Sequence, residues 1–294
     1  MHDSLRTPLV RLGNLFPERK VYGKCEFLGV SGSFKIRGAT HLLEHLRRAG
    51  PLPPLVVPSM GNTALGAAAG AKEFAARMVA VVPTTLSRAK DERLQSLGVE
   101  LVKVAGGGTE LLRFGAELAK QRRGYYVHPH LDENWTNGYQ PIVEEILAAV
   151  PDCRTLVFPI GGGGLLMGLT EYLKKHQAPI ALHGCEAFNC PTYAPFNHSR
   201  APTIAEGLVL EAPHPKVQQR IAEMGIAVHL VTEEEIRAAL NAIYDSQGLV
   251  VEPSSVVATA FVQAHSKELA EPIVVVLTGE NITREDHTRL RGTA

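Results

Sequence analysis

The sequence predicts an α/β fold with two open, twisted, mainly parallel sheets, each covered by helices on both faces to give three layers. Short runs rich in Val, Ile and Leu alternate with amphipathic or Ala-rich stretches along most of the 294 residues. Apolar strands of this kind indicate burial on both faces, as in parallel sheets. Polar, glycine-rich stretches follow several of the strands, at the edge where open parallel sheets bind their ligands.

The predicted elements alternate in a regular order. The apolar runs predict strands over 55–58, 78–83, 100–104, 125–128, 155–160, 180–186, 228–231 and 273–278. The stretches between them predict helices over 63–77, 89–97, 110–122, 141–150, 165–176, 233–247 and 254–266. Proline-rich crossings divide this order into a large domain, residues 1–50 and 147–294, and a small domain, residues 51–146. We expect the ligand site in the cleft between the two domains.

Composition excludes several classes of protein. Lys and Arg total 30 and Asp and Glu total 30, so no net charge favours nucleic acid or an acidic membrane. No apolar stretch is long enough for a membrane helix, and residues 1–15 lack the apolar core of a signal peptide. The four cysteines form no CxxC pair and are too few for a disulfide framework. We therefore expect a cytoplasmic protein that binds neither nucleic acid nor membranes.

Lys35 is the first candidate for chemistry. It lies in the stretch Ser-Gly-Ser-Phe-Lys-Ile-Arg-Gly, residues 31–38. A lysine amine that loses its water becomes a nucleophile and traps carbonyl groups as a Schiff base. Taken alone, however, the stretch is more typical of a solvated lysine at the start of a helix.

A run of four glycines points to a phosphate. These glycines separate a predicted strand from a predicted helix and are Gly161, Gly162, Gly163 and Gly164. Successive backbone N–H groups and the positive end of the helix favour an anion there. A Walker A loop would end in Gly-Lys-Ser/Thr, and this chain has Leu165-Leu166 instead.

A dinucleotide is a weaker interpretation of the same loop. The dinucleotide fingerprint needs glycines at i, i+2 and i+5. Counted from Gly161 or Gly162, the last position falls on Leu166 or Met167. Glu186 lies about twenty residues further on, where a ribose-binding acid would stand. A dinucleotide-dependent oxidoreductase therefore remains a distant alternative to a single phosphate monoester.

Other polar positions have both a structural and a functional interpretation. Ser59, Gly61, Asn62 and Thr63 precede the Ala-rich helix, where they either cap it or present N–H groups to a carboxylate. Thr278 places a lone hydroxyl at the end of a very apolar strand. The segment 128–130, His-Pro-His, looks like a metal pair but has no third ligand at a helpful spacing.

In this order the motifs resemble those of the fold type II pyridoxal 5′-phosphate enzymes, the tryptophan synthase β superfamily. The resemblance covers essentially the whole chain. It rests on Thr7-Pro8-Leu9, on residues 31–39 around Lys35, on residues 59–62, on the four glycines, on Glu252-Pro253-Ser254 and on Thr278-Gly279. Each motif is modest alone, and together they are specific.

The resemblance implies a role for each candidate residue. Lys35 would carry pyridoxal 5′-phosphate as a Schiff base and act as the general base. Gly161–Gly164 would hold its phosphate, Asn62 its ring hydroxyl, and Thr278 its pyridine nitrogen. Ser59, Gly61, Asn62 and Thr63 would bind the carboxylate of a small amino-acid substrate. The resemblance also implies a homodimer.

Within the superfamily, the lysine motif and residues 203–208 most resemble the serine/threonine dehydratase branch, with departures. That branch usually has Asp at the position of Glu206 and Ser or Cys at the position of Thr278, where threonine synthases have Thr. Serine racemase has a catalytic serine at the position of Met60, so racemisation is disfavoured. Cys190 and Thr192 stand where its cation site has a carboxylate, and we expect no metal.

The predicted function is therefore β-elimination. A lyase of amino-acid metabolism would convert a small hydroxy amino acid, through an aminoacrylate, into a 2-oxo acid and ammonia. The alternative within the family is a β-replacement or threonine-synthase-like enzyme, in which a second nucleophile outcompetes water. The motifs do not decide between water and that nucleophile.

Overall fold

A computed structural model describes residues 5–59, 61–86 and 88–292 and confirms the α/β fold. The strands are β1 (Leu9–Arg11), β2 (Val21–Cys25), β3 (Leu55–Pro58), β4 (Met78–Pro83), β5 (Glu100–Val104), β6 (Tyr125–Tyr126), β7 (Thr155–Pro159), β8 (Ala181–Ala187), β9 (Ala227–Val231) and β10 (Ile273–Leu277). The helices are α1 (Lys35–Ala49), α2 (Asn62–Glu73), α3 (Arg88–Ser96), α4 (Gly108–Gln121), α5 (Glu133–Thr136), α6 (Gln140–Ala149), α7 (Gly164–His176), α8 (Pro215–Glu223), α9 (Glu233–Gln247), α10 (Pro253–His265) and α11 (Arg284–Arg291).

The strands form two sheets. The larger sheet has the order β1-β2-β10-β7-β8-β9, and only β1 pairs antiparallel to its neighbour. The smaller sheet, β5-β4-β3-β6, is parallel throughout. Strands β3, β4, β7 and β10 are buried along their whole length, which explains their uninterrupted apolar sequences. The domain boundaries proposed from the sequence remain a prediction.

Helix α1 packs unusually close to helix α2. A Cβ atom at Gly66 would lie 2.6 Å from the Cβ of Lys35, and one at Gly70 would lie 2.9 Å from the Cβ of Ala39. Glycine at these two positions lets the helix that follows β3 rest directly on the helix that begins with Lys35. The two helices thereby bring the first turns of α2 beside the lysine.

A buried network of charges fixes the outer side of α1. Arg37 donates hydrogen bonds to Glu26 (2.7 and 2.9 Å) and to Glu145 (2.7 and 2.8 Å). The Lys24 ammonium contacts Glu145 at 2.6 Å and Glu26 at 3.3 Å, and it also donates to Thr7. Burial alone would raise the pKa of Glu145, but the hydrogen bonds and charges of Arg37 and Lys24 hold that pKa below its usual value. The network therefore ties β2, α1 and α6 together.

The observed bounds differ from the predicted ones in a few places. Helix α2 ends at Glu73 rather than at 77, because Ala75 has φ of 53°, in the left-handed region. Strand β6 contains two residues rather than four, because only Tyr125 and Tyr126 pair with β3. The elements β1, β2, α1, α5, α8 and α11 were not predicted. Among the described residues, no helix is long and apolar enough to cross a membrane.

The charge network predicts a large stability effect at one carboxylate. Glu145→Ala removes a carboxylate that pairs with the buried Arg37 and Lys24. We therefore expect the free energy of unfolding to fall by about 3–5 kcal/mol. Glu144→Ala, at the adjacent exposed position, should change stability by less than about 0.5 kcal/mol. Urea denaturation followed by circular dichroism measures both. Equal effects of the two substitutions would contradict the proposed importance of the network.

Candidate active site

The polar loops that follow β3, β7 and β10 lie around one cleft. Ser33 pairs with Gly279 in an isolated bridge, and the Phe34 N–H donates to the Thr278 carbonyl at 3.1 Å. The Asn62 amide donates to the Glu252 carboxylate at 2.7 Å and accepts from Asn281 at 2.8 Å. The lysine stretch, the loop after β3 and the loop after β10 thus form a continuous hydrogen-bonded wall.

Lys35 presents its amine to this cleft from the first turn of α1. The side chain is half-buried, and its Nζ lies 4.7 Å from the ring centroid of Phe34 and 6.0 Å from that of Tyr139. It makes no hydrogen bond to any residue that the structure describes. Loss of water lowers the pKa of the Lys35 amine to about 8, while the negative charge of Glu252 opposes part of that shift. The amine is therefore much more nucleophilic near neutral pH than a surface lysine.

Glu252 is the charged partner of this lysine. The side chain is buried, and burial raises its pKa above the usual value, although the positive charges of Lys90 and Lys35 and the Asn62 hydrogen bond act in the opposite direction. The sequence indicated only a helix cap and a late motif at this position. Its role in the electrostatics of the site follows from the fold, which brings the residue before α10 within hydrogen-bond distance of Asn62 at the start of α2.

The loop after β3 is preorganised by Ser59. The Ser59 Oγ accepts hydrogen bonds from the N–H groups of Gly61 (3.0 Å) and Ala64 (3.1 Å), so it caps α2 from two residues upstream of Gly61. Thr63 is buried in the first turn of that helix. Met60, which bears on the racemase comparison, lies outside the described residues. Binding of a substrate carboxylate by this loop stays a prediction.

The four glycines form the turn from β7 into α7. None of the N–H groups of Gly161–Gly164 donates a hydrogen bond to a residue that the structure describes. Gly163 has φ of 86°, and a Cβ there would lie 2.6 Å from Val217. A Cβ at Gly161 would lie 3.0 Å from the backbone of Leu208. Free amides at a helix N-terminus favour binding of a phosphate. The crowding explains why the loop consists of glycines.

Thr278 follows β10 directly and is buried. Its hydroxyl has no hydrogen-bond partner among the described residues, whereas its carbonyl holds the lysine stretch. The neighbouring Gly279 N–H donates to Ser255 Oγ at 3.2 Å, and Gly207 N–H donates to Ser254 Oγ at 2.9 Å. The two serines after Glu252 therefore hold the loop after β10 and the segment 203–208 in place.

Glu186 does not lie free for a ribose or a metal ion. It is buried, and its carboxylate accepts hydrogen bonds from the backbone N–H groups of Thr192, Tyr193 and Ala194, at 2.9 to 3.1 Å. Burial raises the pKa of this carboxyl group, and the three amides act against the shift. Glu186 thus holds the loop after β8 in place. This structural role accounts for the residue that had favoured dinucleotide binding.

The sequence alone did not predict that Lys90 and His214 lie near the cleft. The Lys90 ammonium approaches Gly61, where a Cβ would lie 3.2 Å from Nζ. His214 joins His128 and His130 and supplies the third imidazole that sequence spacing could not locate. Within the described part of the chain, however, no group of three or more His, Cys, Asp or Glu side chains is arranged to hold a metal ion. Long-range proximity of this kind leaves no periodic signal in the sequence.

Comparison with known proteins agrees with this geometry. The family described as "Pyridoxal-phosphate dependent enzyme" matches residues 3–279. The catabolic L-threonine dehydratase TdcB of Staphylococcus aureus strain N315 is 29% identical over 98% of this chain and 86% of its own length. The processed form of threonine deaminase isoform 2 from Solanum lycopersicum superposes with a TM-score of 0.89 and 24% identity, covering 99% of this chain and 89% of its own.

The fold is shared with an enzyme whose name describes a different reaction. The O-acetylserine-dependent cystathionine β-synthase of Helicobacter pylori superposes with a TM-score of 0.84 and 22% identity, covering 97% of this chain and 95% of its own. Both superpositions establish the fold alone, and the choice of reaction has to come from the site.

The site predicts a pH dependence for Lys35. Because its amine has a pKa of about 8, the neutral fraction should rise with pH and level off above that value. The rate at which Lys35 forms an imine with an added aromatic aldehyde should follow the same curve. Borohydride trapping and peptide mass spectrometry measure this rate, with Lys35→Ala as the blank.

Glu252→Gln should move the midpoint of that curve to lower pH, because it removes a negative charge that stabilises the protonated amine. Glu206→Gln alters an exposed carboxylate of the same cleft and should leave the midpoint nearly unchanged, since water screens its charge. A midpoint that stays fixed or rises in Glu252→Gln would remove Glu252 from this role.

Proposed function

This chain belongs to the family of pyridoxal-phosphate dependent enzymes, and from that premise we propose that it is a dehydratase of small hydroxy amino acids. The reaction is β-elimination from L-serine or L-threonine, which gives a 2-oxo acid and ammonia. The observation that carries the proposal is the Lys35 amine, with a pKa of about 8, in a cleft bordered by a loop of free amides. Similarity to an L-threonine dehydratase over 98% of the chain supports the substrate class.

The residues of the cleft fit pyridoxal 5′-phosphate. The N–H groups of Gly161–Gly164 have no partner among the described residues and suit its phosphate, and Lys35 suits its aldehyde carbon. Asn62 and the unpartnered Thr278 hydroxyl would hold the ring hydroxyl and the ring nitrogen. When bound, the cofactor supplies an electron sink that stabilises negative charge on the α-carbon of the substrate.

Lys35 performs the proton chemistry in this proposal. A base with a pKa near the working pH is present in its neutral form and still accepts a proton effectively. Desolvation gives Lys35 that property, and Glu252 keeps its pKa from falling further. The Lys35 amine removes the proton from the α-carbon, which prepares the loss of the β-hydroxyl group.

The loop after β3 orients the substrate. Ser59 Oγ already accepts two hydrogen bonds, from Gly61 and Ala64, so its own O–H is directed elsewhere and can donate to a carboxylate. The amides of Gly61, Asn62 and Thr63 at the start of α2 add the positive end of a helix. The nearby Lys90 ammonium adds a positive charge on the same side. These groups would fix the α-carboxylate and so aim the α-hydrogen at Lys35.

A second candidate is a β-replacement or threonine-synthase-like reaction. Thr278 supports it, because the resemblance places threonine at this position in threonine synthases. The chemistry up to loss of the β-substituent is common to β-elimination and β-replacement. They differ only in whether water or a second nucleophile reacts next.

A substrate panel separates the two candidates. We expect the holoenzyme to release ammonia and a 2-oxo acid from L-serine or L-threonine without any co-substrate, measured by a coupled lactate dehydrogenase assay. Lys35→Ala should lose at least about 1000-fold in turnover because it lacks both the covalent anchor and the base. Lys72→Ala, at an exposed position of α2, serves as the matched control. Turnover that appears only after a thiol or another nucleophile is added would favour the replacement reaction.

We also propose that the protein is a cytoplasmic homodimer. The four cysteines are all free thiols, which suits a reducing compartment. Two large apolar side chains next to the lysine stretch, Leu28 and Val30, are 53% and 68% exposed and offer apolar surface to a second copy. Light scattering coupled to gel filtration should give twice the mass of the chain, and a monomeric mass would refute the assembly.

A further inference from the structure

Three imidazoles that the proposed reaction does not use lie beside the glycine loop. His128 and His130 follow β6, and His214 precedes α8. Their ring centroids are 5.3 to 5.9 Å apart. We refer to these three residues as the histidine cluster. A hydrogen bond links two of the three rings, those of His130 and His214.

His130 lies directly on the glycine loop. A Cβ atom at Gly162 would overlap the His130 ring, and one at Gly164 would lie 3.3 Å from the His130 Cα. The other residues that crowd the four glycines, Leu208, Val217 and Pro129, offer apolar atoms or backbone. Among these neighbours, His130 alone has an ionisable side chain. It is half-buried, as Lys35 is.

The hydrogen bonds of the cluster leave one nitrogen of His130 free. Its Nδ1 lies 3.2 Å from Nε2 of His214. The N–H groups of His130 and Leu131 both donate to Nδ1 of His128, at 3.3 and 3.2 Å, so His128 faces the backbone instead. Nε2 of His130 has no hydrogen-bond partner among the described residues.

The surroundings keep this ring neutral. Burial lowers the pKa of His130 well below its usual value, and the positive charges of Lys35, His214 and His128 act in the same direction. A neutral imidazole carries one N–H group and one acceptor nitrogen. When His214 donates to Nδ1 of His130, the proton of His130 resides on Nε2, which thereby becomes a hydrogen-bond donor.

We propose that Nε2 of His130 donates a hydrogen bond to the phosphate group bound at Gly161–Gly164, and that His214 acts as a positioning residue that selects the required tautomer. The backbone amides of the loop would otherwise bind this dianion alone, because the other described neighbours of the four glycines offer only apolar atoms or backbone. A neutral donor strengthens phosphate binding without the desolvation penalty of a buried cation. The inference rests on the cofactor of the family and not on the proposed substrate.

A comparison of two ligands tests this role. Pyridoxal 5′-phosphate and pyridoxal both react with Lys35, but only the first carries a phosphate. In His130→Phe, the dissociation constant of pyridoxal 5′-phosphate from the apoprotein should rise about 10-fold, the usual effect of losing a hydrogen bond to a charged group. The dissociation constant of pyridoxal should change by less than about twofold, because the lost contact involves the phosphate alone. Visible absorbance during titration measures both constants.

Matched variants keep the test decisive. His130→Gln retains an N–H donor and should bind pyridoxal 5′-phosphate within about threefold of the unmodified protein. His214→Phe should give an intermediate loss confined to the phosphorylated ligand. His176→Phe, at the exposed far end of α7, is the control and should bind both ligands normally. If His130→Phe does not fold by circular dichroism, His130→Leu replaces it.

Equal weakening of both ligands in the His130 variants would make the residue merely structural and overturn the proposal. So would unchanged binding of pyridoxal 5′-phosphate in a folded His130→Phe protein. Neither measurement requires turnover, so a failure of the proposed dehydratase reaction leaves this test intact.

Discussion

The buried charges around Arg37 determine where Lys35 can be. Arg37 lies two residues after the lysine, and its guanidinium is held by Glu26 and Glu145 from two other parts of the chain. A buried charge that lost these partners would cost several kcal/mol, so the first turn of α1 has essentially one permitted position. The close contact at Gly66 then places α2 against that turn. The cleft is assembled on this fixed helix start.

In the cleft, burial and neighbouring charges act in opposite directions on the pKa values of two groups, Lys35 and Glu252. Burial pulls the pKa of Lys35 down and that of Glu252 up, and each group partly restrains the shift of the other. The result is an amine that is available as a base near neutral pH, beside a carboxyl group whose negative charge is disfavoured by burial and favoured by Lys90 and Asn62. The glycine loop, in contrast, offers dipoles rather than charges, which suits an anion that must stay bound while protons move nearby.

The sequence predicted the fold well because the buried strands carry their own signal. Strands β3 and β4 have the predicted bounds, since continuous apolar runs leave few alternatives. Strand β5 also has its predicted bounds, although its residues are half-buried or exposed. Strand β2 was missed because Gly23 and Lys24 interrupt its pattern, and the reason they are tolerated is distant: Leu12 and Leu277 pack on the glycine, and Glu145 pairs with the lysine. Helix α11, which is short and highly charged, offers no apolar period to detect.

The sequence alone predicted the candidate residues that stand at junctions between consecutive elements. It did not predict the contacts between residues that are far apart in the sequence. The lysine, the four glycines and Thr278 each stand at a recognisable junction between elements, and the structure gathers them around one cleft. The contacts that set their properties come from distant parts of the chain: Glu252, the residue before α10, acts on Lys35, and His214 contacts His130 across 84 positions of sequence.

Lys35 and Thr278, which are proposed to remove the proton and to bind the cofactor, lie in more buried surroundings than the contacts of Asn281 do. The groups that would hold a cofactor and remove a proton are anchored in the core and on helix starts, where few alternatives fit. Asn281, in contrast, lies at a half-buried position, where it donates to Asn62 and to the carbonyl of Ser31 and also contacts Arg93. Substitution of Asn281 or Arg93 would therefore leave the buried charges around Arg37 untouched.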